Sequence, residues 1–270
     1  MAQRYRSNGA PSRTAEYLLY QTLVGAHPLN ADRASAYMLK AAREAKQDTS
    51  WLDPAEAYEA ALDAFVRGVV EDSDIDADVA RFVAAMTPAW HTAALSQTLL
   101  KLTSPGVADI YQGSELWDLR LVDPDNRTPV DFALRRGLLR EVRGLSAHDV
   151  MQRAAEGMPK LHVVRSSLRV RRDAPAVFGP VSWYRPLHAT GSRAAHAVAY
   201  ARGAGGEPAG AVTVAVRLAF TLNDDWGTTN LDLPEGSWRN AFTDVLADGG
   251  AIPLAELLRD FPVALLQRVS

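Results

Sequence analysis

Five carboxylates, Glu115, Asp118, Asp123, Asp125 and Asp131, fall within residues 111–131 of a stretch, 105–132, that reads PGVADIYQGSELWDLRLVDPDNRTPVDF. Tyr111, Trp117, Arg120, Asn126 and Arg127 lie among them. At this density carboxylates, an Asn and an Arg can make paired hydrogen bonds to vicinal hydroxyls, and the rings of Tyr111 and Trp117 can stack on the apolar face of a sugar. The composition is poor for a core and good for a polar pocket. The same residues also have structural uses: Asp125-Asn126 beside Pro124 is a turn signature, Asp123 can pair with Arg120 or Arg127, and Trp117 can be core.

The elements that would position this stretch are legible around it. Residues 107–111 read as a short apolar strand, preceded by a helix over about 91–103 carrying Leu95, Leu99 and Leu102. A strand that ends in a long polar loop is how an α/β barrel builds its active face. After the loop, Asp131 is placed to cap a helix carrying Phe132, Leu134, Leu138, Leu139 and Val142. Upstream, residues 1–14 are rich in Ser, Arg, Gly and Pro and read as a flexible lead-in. The apolar run at 17–26 predicts a buried helix. Ala34, Tyr37, Met38, Ala41 and Ala45 then recur at helical spacing. Asp53 is a candidate N-cap, with Pro54 at the first helical position and Glu56 completing a capping box, for a helix burying Tyr58, Ala61, Leu62, Phe65, Val66 and Val69. A separate helix is expected over Val79, Phe82, Val83 and Met86. Residues 159–172 fit either a helix or alternation. After Pro175 short Val-, Ala- and aromatic-rich segments at 197–201, 211–216, 228–233 and 238–242, split by Gly, Asp, Asn and Pro, predict an antiparallel β domain.

Composition narrows the function. With 47% hydrophobic residues in 270, the chain can bury a substantial core. A formal charge of -3 without a basic run argues against nucleic acid. Cysteine is absent, which removes disulfides, thiol nucleophiles and thiolate metal sites. His162, His188 and His196 lack metal-ligand spacing, so neither metal nor cofactor is expected. No stretch approaches the roughly 20 apolar residues of a membrane span, and the expectation is a soluble cytoplasmic protein that does not engage membranes.

The run "PGVADIYQGSELWD…LVDPDNRTPVDF" resembles the last barrel strand and following loop of the maltooligosyltrehalose synthases, a branch of the α-amylase superfamily. Tyr111-x-Gly113-x-Glu115 is the general superfamily element, while "GSELWD" followed by "LVDPDNRTPVDF" is far narrower. "EYLLYQTLVGAHP", "YMLKAAREAK", "TSW" and "WGTTNLDLPEGSWRN" extend the resemblance along nearly the whole chain. His27 stands where the family commonly has Trp, and Thr228 where Asp is frequent. The family's "LRxRRxxP" segment implies that 159–172 is the last barrel helix.

What the resemblance implies is an α+β chain. Residues 1–174 would form the C-terminal, mostly helical part of a (β/α)8 barrel with its last βα unit, and 175–270 a C-terminal antiparallel β-sandwich. The implied reaction converts the reducing-end α-1,4 bond of a maltooligosaccharide to an α,α-1,1 bond, with Tyr111, Glu115, Trp117, Asp123, Asp125, Asn126 and Arg127 as substrate-binding candidates. No catalytic residue is assigned. Retaining glycosyl transfer needs two carboxyl groups about 5 Å apart, and the superfamily's "GxRxD", acid/base Glu and "HD" motifs should precede residue 107, where none occurs. His148-Asp149 comes too late and reads as a helix start. The chain alone is therefore expected to be inactive, with the missing N-terminal barrel portion as partner. The alternatives are a non-catalytic maltooligosaccharide-binding or assembly subunit, and a fragment of another α-amylase-type transferase or hydrolase.

Overall fold

A computed structural model describes residues 1–7 and 9–269. The chain divides into two compact units, one of residues 1–87 and 119–129, the other of 88–118 and 130–270. No helix among the described residues is long and apolar enough to cross a membrane.

The first unit is helical: α1 (Arg13–Gly25), α2 (Ala31–Ala45), α3 (Glu56–Val70) and the first half of α4 (Ser73–Thr103). Leu19, Leu23, Met38, Leu62, Phe65, Val66 and Val69 bury the faces that their spacing predicts. Each such side chain contributes on the order of 1.5–3 kcal/mol when taken out of water. Four expectations need correction. Residues 1–7 are not a loose lead-in: Ala2–Tyr5 is a 3-10 turn, and Arg4 and Tyr5 both donate to Asp72, the tyrosine at 2.8 Å. Asp72 in turn accepts from the backbone N–H of Asp74 and Ile75 at the start of α4. Asp53 does not cap α3, whose N-cap is Ala55; its backbone instead closes a turn with Ser50. The two helices expected over 79–103 are one, running through Pro88, where the units divide. The helix continues despite the backbone donor that Pro88 lacks.

The fourth correction concerns residues 107–111, which form no strand. Val107 is 99% exposed. A strand exists only by pairing, and nothing among the described residues pairs with this run.

In the second unit α5 (Phe132–Glu141), α6 (Ala147–Gln152) and α7 (Met158–Asp173) pack with the end of α4 against an antiparallel sheet. Asp131 caps α5, accepting from Leu134 N at 2.8 Å, as its position predicts. Ser146 and Asp149 form a capping box on α6, so "SAHD" is a helix start. Residues 159–172 lie within α7, which is largely buried up to Ser167 and exposes Leu168, Arg169, Arg172 and Asp173.

The sheet comprises β1 (Trp183–Leu187), β2 (Ala189–Thr190), β3 (Ala197–Gly203), β4 (Ala211–Val216), β5 (Asn230–Asn240), β6 (Leu246–Pro253) and β7 (Ala264–Val269). Its order is β1-β3-β4-β7-β5-β2, with β6 also on β5. β1 and β2 stand at opposite ends of that order yet are one residue apart in the chain, so the sheet must curl round. Trp238, Val212, Val214, Leu231 and Leu266 fill the resulting core. The segments expected at 228–233 and 238–242 are largely one strand, β5, with a register shift between Leu233 and Ser237.

At the far end of α4, Arg171 donates to Leu102 O at 2.8 Å and the buried Arg202 to Thr103 O and Ser104 O. Both guanidinium groups lie over the Phe178 ring. Cations suit this place, because a helix C-terminus carries unpaired carbonyls and partial negative charge. The helix end that launches the 105–132 stretch is thus held in place.

Candidate functional site

Residues 119–129 belong to the first unit and fold onto α2. Arg33 forks onto Asp125, Nε at 3.1 Å and Nη2 at 2.8 Å, and Nη2 also donates to Leu119 O. Leu121 N donates to the same carboxylate at 2.7 Å. The Arg33 hydrogen bond is the main cause holding the Asp125 pKa below its ordinary value. One turn pair further along α2, Lys40 donates to Asp123 O. The loop tip is a 3-10 turn over Asp125–Arg127, where Thr128 Oγ1 returns to Asp125 O and Arg120 donates to Asn126 O. Arg127 pairs with Asp123 and its side chain is 72% exposed. The Oδ1 of Asn126 is buried without a hydrogen-bond partner.

The other half of the stretch belongs to the second unit. Tyr111 is exposed at a turn closed by Ser114. Glu115 receives Arg135 Nε at 3.2 Å, and Arg135 also donates to Gly113 O and Asp131 O. Trp117 Nε1 donates to Ala154 O at 2.6 Å. Its ring stacks on His91, centroids 4.5 Å apart and planes 8° from parallel, with Trp90 at 5.3 Å. Burial pushes the His91 pKa down and so favours the neutral ring. Gly157, at φ +78°, passes so close that a Cβ there would sit 3.0 Å from Trp117 N. Lys160 donates to Leu116 O, and burial lowers its pKa, followed by the charge of Lys101.

The seven candidate residues therefore fall into two sets. Tyr111, Glu115 and Trp117 share one unit, while Asp123, Asp125, Asn126 and Arg127 share the other. Trp117 is partly buried and packs against the helix and sheet core. Sequence reasoning missed Arg33, Arg135, Trp90 and His91. Arg33 and Lys40 share a helix face at seven-residue spacing, which is a usable signal, but nothing local pairs Arg33 with a carboxylate 92 positions away.

No family model matches the chain. Putative maltooligosyl trehalose synthases from two strains of Mycobacterium tuberculosis are each 38% identical over 267 residues, covering 96% of this chain and 32% of theirs. The structure of maltooligosyltrehalose synthase from Arthrobacter ramosus matches with a TM-score of 0.85 at 38% identity, over 99% of this chain and 34% of that one. A glycosyltrehalose synthase matches at 0.72 and 27% identity, over 94% and 31%. Sequence and fold together show that the chain corresponds to a C-terminal portion of the maltooligosyltrehalose synthases, spanning about a third of the length of the relatives it matches.

Proposed function

We propose that the chain is the C-terminal part of a maltooligosyltrehalose synthase, an isomerase of trehalose biosynthesis that moves the reducing-end glucosyl bond of a maltooligosaccharide from α-1,4 to α,α-1,1. The observation that carries this reading is the similarity to such synthases over 96% of the chain, against about a third of their length. In the whole enzyme, residues 1–174 are the later, mostly helical part of a (β/α)8 barrel, with 107–111 as its last strand. Residues 175–270 are its terminal β domain. The strand forms when the upstream portion supplies the neighbour that the run lacks.

In this reading residues of the 111–131 stretch help to wall sugar subsites. Asp125 shapes its half by its grip on Arg33, Arg127 presents donors to hydroxyls, and Tyr111 offers a ring face. The nucleophile and acid/base come from the upstream portion, in a cytoplasmic enzyme. Water must be kept from a covalent glucosyl intermediate, since it would divert transfer to hydrolysis. The purified chain, incubated with maltopentaose, leaves the concentration of reducing ends unchanged; their loss would overturn the claim that this chain alone is inactive.

A further inference from the structure

Three residues beyond Lys40, α2 carries Arg43, which is committed elsewhere. Its guanidinium forks onto Glu59, Nε at 2.8 Å and Nη2 at 2.6 Å, and Thr49 Oγ1 donates to the same carboxylate at 2.6 Å. Thr49 Oγ1 also accepts from Ala55 N. Held this way, the Arg43 guanidinium lies 4.9 Å from the centre of the Trp51 ring. Trp51 and Leu52 form the tip of a turn that Ser50 closes: Ser50 N donates to Asp53 O, and Asp53 N to Ser50 Oγ at 2.9 Å. Trp51 remains 55% exposed.

One indole face is thus covered by a locked cation while much of the ring stays open on a closed turn. A platform fixed before its ligand arrives loses little conformational freedom on binding. The apolar face of a pyranose suits such a ring. Arg33 and Arg43 are ten residues apart on overlapping sides of α2, a rise of about 15 Å. The first holds the 119–129 loop and the second backs Trp51, so both lie along one helix of one unit.

We infer that Trp51, backed by Arg43, is an outer stacking platform for a sugar ring of a maltooligosaccharide whose remaining rings run along α2 toward residues 123–127. This rests on the reading that the loop is a sugar subsite. A single glucose cannot bridge the two places, so affinity rises with chain length.

The test is calorimetric titration of the whole chain with glucose, maltotriose and maltohexaose. Trp51→Ala should weaken maltohexaose at least fivefold and leave glucose unaffected, whereas Trp51→Phe, which keeps a ring, should lose less than twofold. In parallel, the fluorine resonance of Trp51 in 5-fluorotryptophan-labelled chain, assigned by its loss in Trp51→Phe, should shift on adding maltohexaose. That measurement does not depend on how the alanine variant folds. The platform is overturned if the wild-type chain does not bind maltohexaose, or if Trp51→Ala binds it as well as wild type. Arg127→Ala separates the two ideas: if it has no effect while Trp51→Ala weakens binding, Trp51 stacks a sugar but the path along α2 to residues 123–127 and the loop subsite both fail.

Discussion

At the scale of single residues, the candidate site sorts into side chains that hold the fold and side chains with capacity to spare. Asp125 uses both oxygens on Arg33 and Leu121 N. Replacing it by Ala removes an ionised acceptor from a partly buried fork, and the expected cost is about 1–2 kcal/mol in urea unfolding. Arg127 is different, because its exposed pair with Asp123 contributes little to stability. In the complete enzyme both Asp125→Ala and Arg127→Ala should lower kcat/KM at least about tenfold. Only the first should also lower the unfolding midpoint, so unchanged kinetics in Arg127→Ala returns the loop to a purely structural role.

His162 supplies a second residue-scale expectation. Its Nε2 donates to Phe242 O at 3.0 Å, its Nδ1 is buried without a partner, and its ring packs between Phe242 and Phe261. Burial, the largest cause, pushes its pKa down; the charge of Arg165 adds to this, while the Phe242 carbonyl and Asp244 oppose it. The folded state therefore resists a proton that the unfolded imidazole accepts near about 6.5. Stability is fully present above that value and falls as the pH drops below it. Thermal midpoints from pH 7.5 to 5.5 should decline in wild type and decline less in His162→Phe; equal slopes would exclude this ring as the cause.

At the scale of elements, helices with local signals were legible and those with remote partners were not. The α3 face was readable from spacing alone, and Asp131 and Ser146 were readable as caps because an N-cap acts within three residues. The break expected between 86 and 91 does not occur: α4 continues through Pro88, although a proline in mid-pattern ordinarily ends a helix. The tie from Arg4 and Tyr5 to Asp72, and the fork from Arg33 to Asp125, join residues far apart in the chain and leave no periodic trace. The same limit applies to Trp51, whose ring is covered by a guanidinium eight residues upstream. Asp131 shows what a carboxylate of the candidate stretch does locally. Asp131→Ala should cost about 1 kcal/mol by leaving the first turn of α5 uncapped, and Asp131→Asn should restore most of it. Equal loss in both variants would point to a use of its charge beyond the cap.

At the scale of the whole molecule, residues 107–111 matter most. Their composition led to the expectation of a strand, the resemblance implies a barrel strand, and the described structure shows neither, with Val107 fully exposed. The expected strand is absent, because β structure needs a paired neighbour and none lies beside this run among the described residues. An exposed β-forming run is also a site for pairing with the wrong chain. Both points lead to one expectation about complementation. A polypeptide equivalent to the first two thirds of a homologous synthase, carrying the Asp, Glu and Asp motifs, should bind this chain when the two are expressed together. The complex should consume the reducing ends of maltopentaose, and Val107→Pro, which removes the N–H and fixes φ, should weaken assembly at least tenfold. The alanine variant at the same position, which keeps the backbone donor, should assemble nearly as well as wild type. Assembly unaffected by the proline would show that 107–111 is not the pairing strand, and a stable complex that leaves reducing ends intact would count against the synthase reading itself.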